Sequence, residues 1–129
     1  MTQQSNSIDQ IASWAGALAA DQVPPAAFAL ARKAFLDTLA VSLSGSRLDS
    51  ARIVTALARE HGCGDGPCSV IGHGIKADPL AAALANGTAA HAELFDDNNE
   101  PMMSHPSASL VSALLPLGQS RRLGGAEVL

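Results

Sequence analysis

Tyrosine is absent from these 129 residues, and aromatic residues make up 3% of the chain, as three phenylalanines and a single tryptophan. A core assembled from large rings is therefore excluded. Small aliphatic side chains must replace them, and because each buries little area, such a core depends on many close helix–helix contacts. Cationic residues are scarce as well: Lys and Arg total 8 against 12 Asp and Glu, for a net charge of -4. The eight cations are scattered, without the basic stripe of a nucleic-acid binder, so that class is set aside. No apolar run reaches the roughly 18 residues that span a bilayer. The opening MTQQSNSIDQ has neither the basic nor the apolar region of a secretory signal, so the expected setting is the cytoplasm, with no membrane partner. Cysteine is limited to Cys63 and Cys68 in a Gly-rich loop. A disulfide between them is open, but two reduced thiols is the plainer reading in such a compartment. A zinc site there would need a second close-spaced ligand pair, and only His61 and His73 are near.

Alanine and leucine dominate what remains, and their spacing predicts helices in a length suited to one domain. Ser7 can cap a helix from Ile8 to about Ala20, with Ile8, Ile11, Ala15 and Leu18 on one face and Trp14 as its anchor. Pro25 opens a second helix to about Ser44, with Phe28, Ala31, Phe35, Leu39 and Leu43 at helical spacing. It is apolar on several sides and expected at the centre, with Gly45 as its C-terminal stop. A third helix runs from Ala51 to His61, with Ile53, Val54, Leu57 and Ala58 inward and Gly62 ending it. Ser69–Ile71 and Gly74–Lys76 are expected to pair as a hairpin with His73 exposed at its tip, lying on the helices because a lone hairpin is not self-supporting. Asp78-Pro79 starts a fourth helix reaching Phe95. Gly87 inside it costs roughly 1 kcal/mol relative to alanine, which calls for a close neighbour. Pro106 opens a fifth helix to about Gln119, with Leu110, Val111, Leu114 and Leu115 inward and Pro116 kinking its end. Ala126–Leu129 reads as the first turn of a further, interrupted element. The fold class is all-α, with one short β-hairpin near residues 69–76. Short alanine-rich helices are marginal alone in water, so the chain is expected to need more structure to pack against.

Chemistry concentrates in Asn86–Ser107, which holds two histidines, four acids and three asparagines in 22 residues. His105 stands just before a helix-opening proline, where backbone N–H groups point outward and favour an anionic ligand. A histidine there can exchange protons near neutral pH, with Asp96 and Asp97 placed to orient it or to bind a substrate hydroxyl. The competing structural reading has Asp97 and Asn98 capping the loop, His105 bonding a backbone carbonyl, and His91 packing on an alanine-rich face. His91, Asp96, Asp97 and His105 are also plausible ligands for a hard divalent cation, but no tight motif such as H-E-x-x-H is present. No metal is assigned.

The run ANGTAAHAELFDD followed by SHPSA resembles the signature of the MmgE/PrpD family. Asp37-Thr38-Leu39-Ala40-Val41, with Gly45-Ser46 just after, resembles the family's D-T-L-x-V-x-L-x-G-S helix end, and SVIGHGIKADPLAAALANGT resembles the stretch between the two. The resemblance covers the chain from about Pro25 onward. It implies an all-helical domain joined to a smaller α/β domain, a homodimer in the full-length form, and no metal or organic cofactor. It also implies lyase or isomerase action on a di- or tricarboxylic acid, as in 2-methylcitrate dehydratase, cis-aconitate decarboxylase and an iminodisuccinate epimerase. By this resemblance His105 takes the acid–base role, Asp96 and Asp97 line the catalytic pocket, and Asn86, His91 and Asn98 bind substrate.

The chain departs from the family pattern in places. Leu94 stands where decarboxylase-like members carry an acid, with Glu93 one step earlier; Asn98 replaces a common threonine; and the loop Asn99–Met103 is about one residue longer. These changes fit a divergent member with another substrate. The resemblance places residues 1–129 as the N-terminal portion of the helical domain, with the rest of that domain and the α/β domain absent. Only Lys33 and Lys76 represent lysine, neither near the cluster in sequence, and a polycarboxylate site without cations binds poorly. The chain alone is therefore expected to be inactive and unstable. The alternative is a non-catalytic helical module that packs or dimerises.

Overall fold

The structure, a computed structural model, describes residues 6–60 and 66–129. The expectations about His61, Gly62 and Cys63 lie outside the described residues. The chain divides into two compact units, Met1–Leu30 and Ala31–Leu129. No helix among the described residues is long and apolar enough to cross a membrane.

In the first unit, α1 (Ser7–Ala17) is capped one residue earlier than expected: Asn6 Oδ1 accepts the Asp9 N–H at 2.9 Å. None of its residues is buried, and Trp14 is 64% exposed. A 3-10 turn, Ala20–Gln22, follows before Pro25 starts α2 (Pro25–Gly45).

The second unit holds the rest of α2, then α3 (Asp49–Glu60), β1 (Cys68–Val70), β2 (Ile75–Ala77), α4 (Pro79–His91), α5 (Pro106–Arg121) and α6 (Gly125–Val128). The mostly helical class with one antiparallel hairpin is as expected, although the strands sit one residue outward, with Cys68 opposite Ala77 and Val70 opposite Ile75. Gly72 and Gly74 carry the turn at φ 80° and 63°, values that glycine adopts without steric cost. Asp78 caps α4 by accepting the N–H groups of Leu80 and Ala81 at 2.9 and 3.1 Å, with Pro79 at the first position.

The central element is α4 rather than α2, since α4 packs on α3, on α5 and on both strands. Its inner face is alanine: Ala82, Ala85, Ala89 and Ala90 are all buried. Close approach of backbones, not bulk, builds this core. At Gly45 a Cβ would lie 2.1 Å from the Ala89 carbonyl oxygen, so α2 ends directly on the α4 backbone. Gly45 thus serves as a contact surface and not as a left-handed stop. Gly87 is less demanding, because a Cβ there would meet Ser112 of α5 at an ordinary 3.5 Å.

The same preference for small residues overturns several expected faces. In α3 the buried residues are Ala51, Thr55 and Ala58, while Ile53 is 68% and Leu57 47% exposed. In α5 they include Ser107, Ala108, Val111 and Ser112, while Leu110 and Leu114 face out. Pro116 is buried inside α5, which continues past it to Arg121.

Three side chains fasten the hairpin to the helices. Asn86, 1% exposed, accepts the Ile71 N–H at 2.9 Å and donates to the Ser69 carbonyl at 3.0 Å. Gln119 accepts the Ser69 N–H at 2.8 Å. The buried Cys68 thiol donates to the Pro116 carbonyl at 3.2 Å. Burial, reinforced by the charge of Asp78, pushes the Cys68 thiol up and keeps it a protonated donor near neutral pH. Replacing Asn86 with alanine leaves two backbone groups without partners, and a loss of about 2–3 kcal/mol is expected from urea denaturation. An unchanged midpoint would show that the hairpin does not depend on this amide.

Candidate active site

The candidate site is built by the chain reversal between α4 and α5. The last turn of α4 presents His91, and the Leu94 N–H returns to the His91 carbonyl at 3.2 Å. The helix therefore stops four residues short of Phe95. Leu94 reverses the chain in a left-handed conformation, φ 57°, which costs a non-glycine residue about 1–2 kcal/mol. That reversal brings Asp96 back to the ring of His91.

Asp96 is the hub. Its side chain is 0% exposed, yet it does not face the cost of an unpaired buried carboxylate. The His91 Nδ1 lies 3.1 and 3.0 Å from its two oxygens. His105 Nδ1 lies 3.5 Å from Asp96 Oδ2, an electrostatic contact too long for a hydrogen bond, and this buried nitrogen has no hydrogen-bond partner among the described residues. The two imidazoles meet edge to face, with centroids 4.9 Å apart at 66°. A carboxylate held at Nδ1 of an imidazole favours the proton on that nitrogen and leaves Nε2 for a ligand.

Asp97 turns to a different task. Its Oδ1 accepts the Ser107 N–H at 3.0 Å and its Oδ2 accepts the Ser107 hydroxyl at 2.7 Å. Between them the loop folds tightly. Asn99 and Ser104 exchange backbone hydrogen bonds at 2.9 and 3.3 Å around a 3-10 turn, Glu100–Met102, and Met103 closes it at φ 47°.

A cavity of about 660 Å³ opens over the histidines, lined by Gly87, His91, Ser104, His105, Ser109 and Leu110 among others. A second, of about 440 Å³, is bounded by Asn98, Glu100, Met103 and His105. His105 borders both. None of the residues lining either is a lysine or arginine. A third cavity of about 380 Å³, edged by Phe35, Leu36, Leu39, Leu115 and Leu123, is almost wholly apolar and offers little to chemistry.

The structure thus unites His91, Asp96 and His105, while Asn98 shares the lining of the second cavity with His105. Asn86 is turned to the hairpin and Asp97 to Ser107. His73, expected at an exposed tip, is half-buried, with its Nε2 sealed from solvent. Ser107 and Gly87 were not singled out as site residues by sequence reasoning. The clue to Ser107 was available: with proline at the first helical position, the N–H of Ser107 is the first donor α5 leaves open. Donor atoms of His91, Asp96 and His105 all lie within 4.8 Å of one another, so the trio also meets the donor types of a two-histidine, one-carboxylate metal site. Closing them on an ion at about 2.0–2.2 Å would require Asp96 to give up its hydrogen bonds to His91.

Comparison with known proteins matches residues 9–129 to the model of the MmgE/PrpD N-terminal domain. A cis-aconitate decarboxylase of Aspergillus terreus is 28% identical over 132 aligned residues, covering 98% of this chain and 26% of that protein. Another from Aspergillus terreus strain NIH 2624 is 29% identical, covering 93% and 25%. A cis-aconitate decarboxylase-like protein of Aspergillus oryzae is 28% identical, covering 95% and 25%. The chain spans about a quarter of the length of these curated relatives. No solved structure matches.

Proposed function

The chain belongs to the MmgE/PrpD family, and on that footing we propose that it forms the histidine-bearing wall of a lyase active site for a di- or tricarboxylic acid. His105 moves the proton, His91 and Asp96 orient it, and no metal or organic cofactor takes part. The observation that carries this reading is the fully buried Asp96 carboxylate gathered against the Nδ1 atoms of both histidines at the edge of a cavity.

Dehydration and decarboxylation next to a carboxylate share one demand. A carbanion-like centre must gain or lose a proton, so a proton donor or acceptor has to stand over the reacting carbon. His105, at the opening of α5 and on the edge of both cavities, is the group placed to do so. Asn98 and His91 are placed to contact substrate. Cations to hold the remaining carboxylates are not among the residues that line the two cavities. Leu94 in place of an acid favours a substrate other than cis-aconitate.

The test is an assay over a panel of di- and tricarboxylates, with two proteins. The purified 129-residue chain is expected to give no turnover. The same residues continued to the length of the relatives, for instance by the remaining three-quarters of an Aspergillus terreus enzyme, are expected to turn over one of the panel equally well with and without a chelator. Turnover by the short chain, or loss of activity to the chelator that zinc restores, would contradict the proposal.

A second reading has its own observation. Leu36, Ile53, Leu80 and Leu110 are 70%, 68%, 83% and 59% exposed, a load of apolar surface typical of a piece that packs on something else. A longer protein with no turnover, together with a stable monodisperse oligomer of the short chain by light scattering, would favour a packing module.

A further inference from the structure

His105 occupies the N-cap of α5, the position that usually carries Ser, Thr, Asp or Asn to satisfy the first open N–H groups of the helix. It makes no such bond. Pro106 has no N–H, so the first open donor is that of Ser107, and Asp97 accepts it from across the loop. The carboxylate takes the Ser107 hydroxyl as well, so both of its oxygens are fixed on one residue.

We propose that Asp97 is a positioning residue that caps α5 in place of His105 and so frees the His105 imidazole for chemistry. The backbone on one side of His105 is held by the Asn99–Ser104 pair, and on the other by Asp97 and Ser107. The ring itself rests 3.5 Å from Asp96. The adjacent aspartates therefore divide the work: Asp96 sets the rings and Asp97 sets the backbone that carries one of them. A negative charge at the start of a helix is also favoured by the helix dipole. The conventional arrangement, a capping residue at 105, would leave no histidine at that place.

This inference rests on the reading of His105 as the proton-transfer group, and the experiment separates the two. In the protein continued to its relatives' length, kcat and KM are measured per folded molecule, well below the melting transition, for Asp97→Ala, Asp97→Asn, Ser107→Ala and His105→Ala. Asp97→Ala is expected to lower kcat about 10–100-fold with KM nearly unchanged, the size of effect that a misplacement near 1 Å produces. Asp97→Asn keeps an oxygen for the Ser107 N–H and is expected to restore most of kcat. Ser107→Ala, which removes only the hydroxyl bond, should fall between. If Asp97→Ala lowers the melting temperature but leaves kcat at the wild-type value, Asp97 is merely structural and the inference fails, while loss of activity in His105→Ala would leave the proton-transfer reading standing. If His105→Ala keeps the wild-type rate, that reading fails first.

Discussion

Gly45→Val is expected to destabilise the protein by about 3 kcal/mol or more, the upper range for forcing bulk into a packed interior. A Cβ at Gly45 would lie 2.1 Å from the Ala89 carbonyl oxygen and 3.2 Å from the Cβ of Ala92. The first of these is a backbone atom in the last turn of the central helix, so no side chain can swing aside to relieve the overlap. Either α2 lifts off α4 or the last turn of α2 unwinds. Gly87 supplies the control. A Cβ there would sit 3.5 Å from Ser112, so Gly87→Ala should be neutral or add up to about 1 kcal/mol through helix propensity. Urea denaturation of the two variants side by side checks both. Equal effects would mean that close approach at Gly45 is not what seats α2 on α4.

Asp96→Asn is expected to reduce kcat about 10³-fold in the longer protein while changing stability by no more than about 1 kcal/mol. The side chain keeps its size, so packing is preserved. What changes is the pairing of His91 Nδ1, now 3.0 and 3.1 Å from two carboxylate oxygens. An amide that presents its NH₂ group to that nitrogen stabilises the opposite tautomer of His91, and the substitution also removes the carboxylate charge 3.5 Å from Nδ1 of His105, the ring that carries the proton. Loss of a carboxylate that faces a catalytic histidine has consequences of this order. Asp96→Ala should be worse for folding as well, since His91 and His105 would both face an unfilled space. A variant Asp96→Asn with wild-type kcat would show that the carboxylate serves packing alone.

Much of the fold was legible because the strongest signals are local. Asp78-Pro79 and Pro25 marked helix starts and Gly72 marked the turn, and the structure places each as read, while Gly74, expected in the second strand, belongs to the turn. The inward faces were not legible. Periodicity of leucine and isoleucine identifies a helix, but here Ala51, Ala58, Ala82 and Ala85 form the interior while Ile53 and Leu80 stay outside. A core built on backbone proximity writes its pattern in alanine, serine and glycine, which hydrophobic spacing does not weigh. The end of α4 was also missed, because ELF continues the helical pattern and nothing in Leu94 announces a left-handed residue. That one residue decides that Asp96, and not a further helical turn, meets His91.

The candidate site was legible as a set of residue types but not as a set of partnerships. His91, Asp96, Asp97, Asn98 and His105 stand within 15 residues of one another, yet adjacent aspartates look alike in sequence. Which of them met the rings and which met the helix depended on the turn at Leu94. Asn86 carries the same ambiguity: an asparagine in a site-like motif whose amide is engaged with Ser69 and Ile71.

The most direct measurement is kcat for His105→Ala in the protein continued to its relatives' length, assayed on its best di- or tricarboxylate with circular dichroism confirming the fold. A fall of about 10³-fold or more, with KM changed far less, is the expected result for removing the group that carries the proton. A rate within a few-fold of wild type would remove His105 from the chemistry and leave the His91–Asp96–His105 cluster as packing.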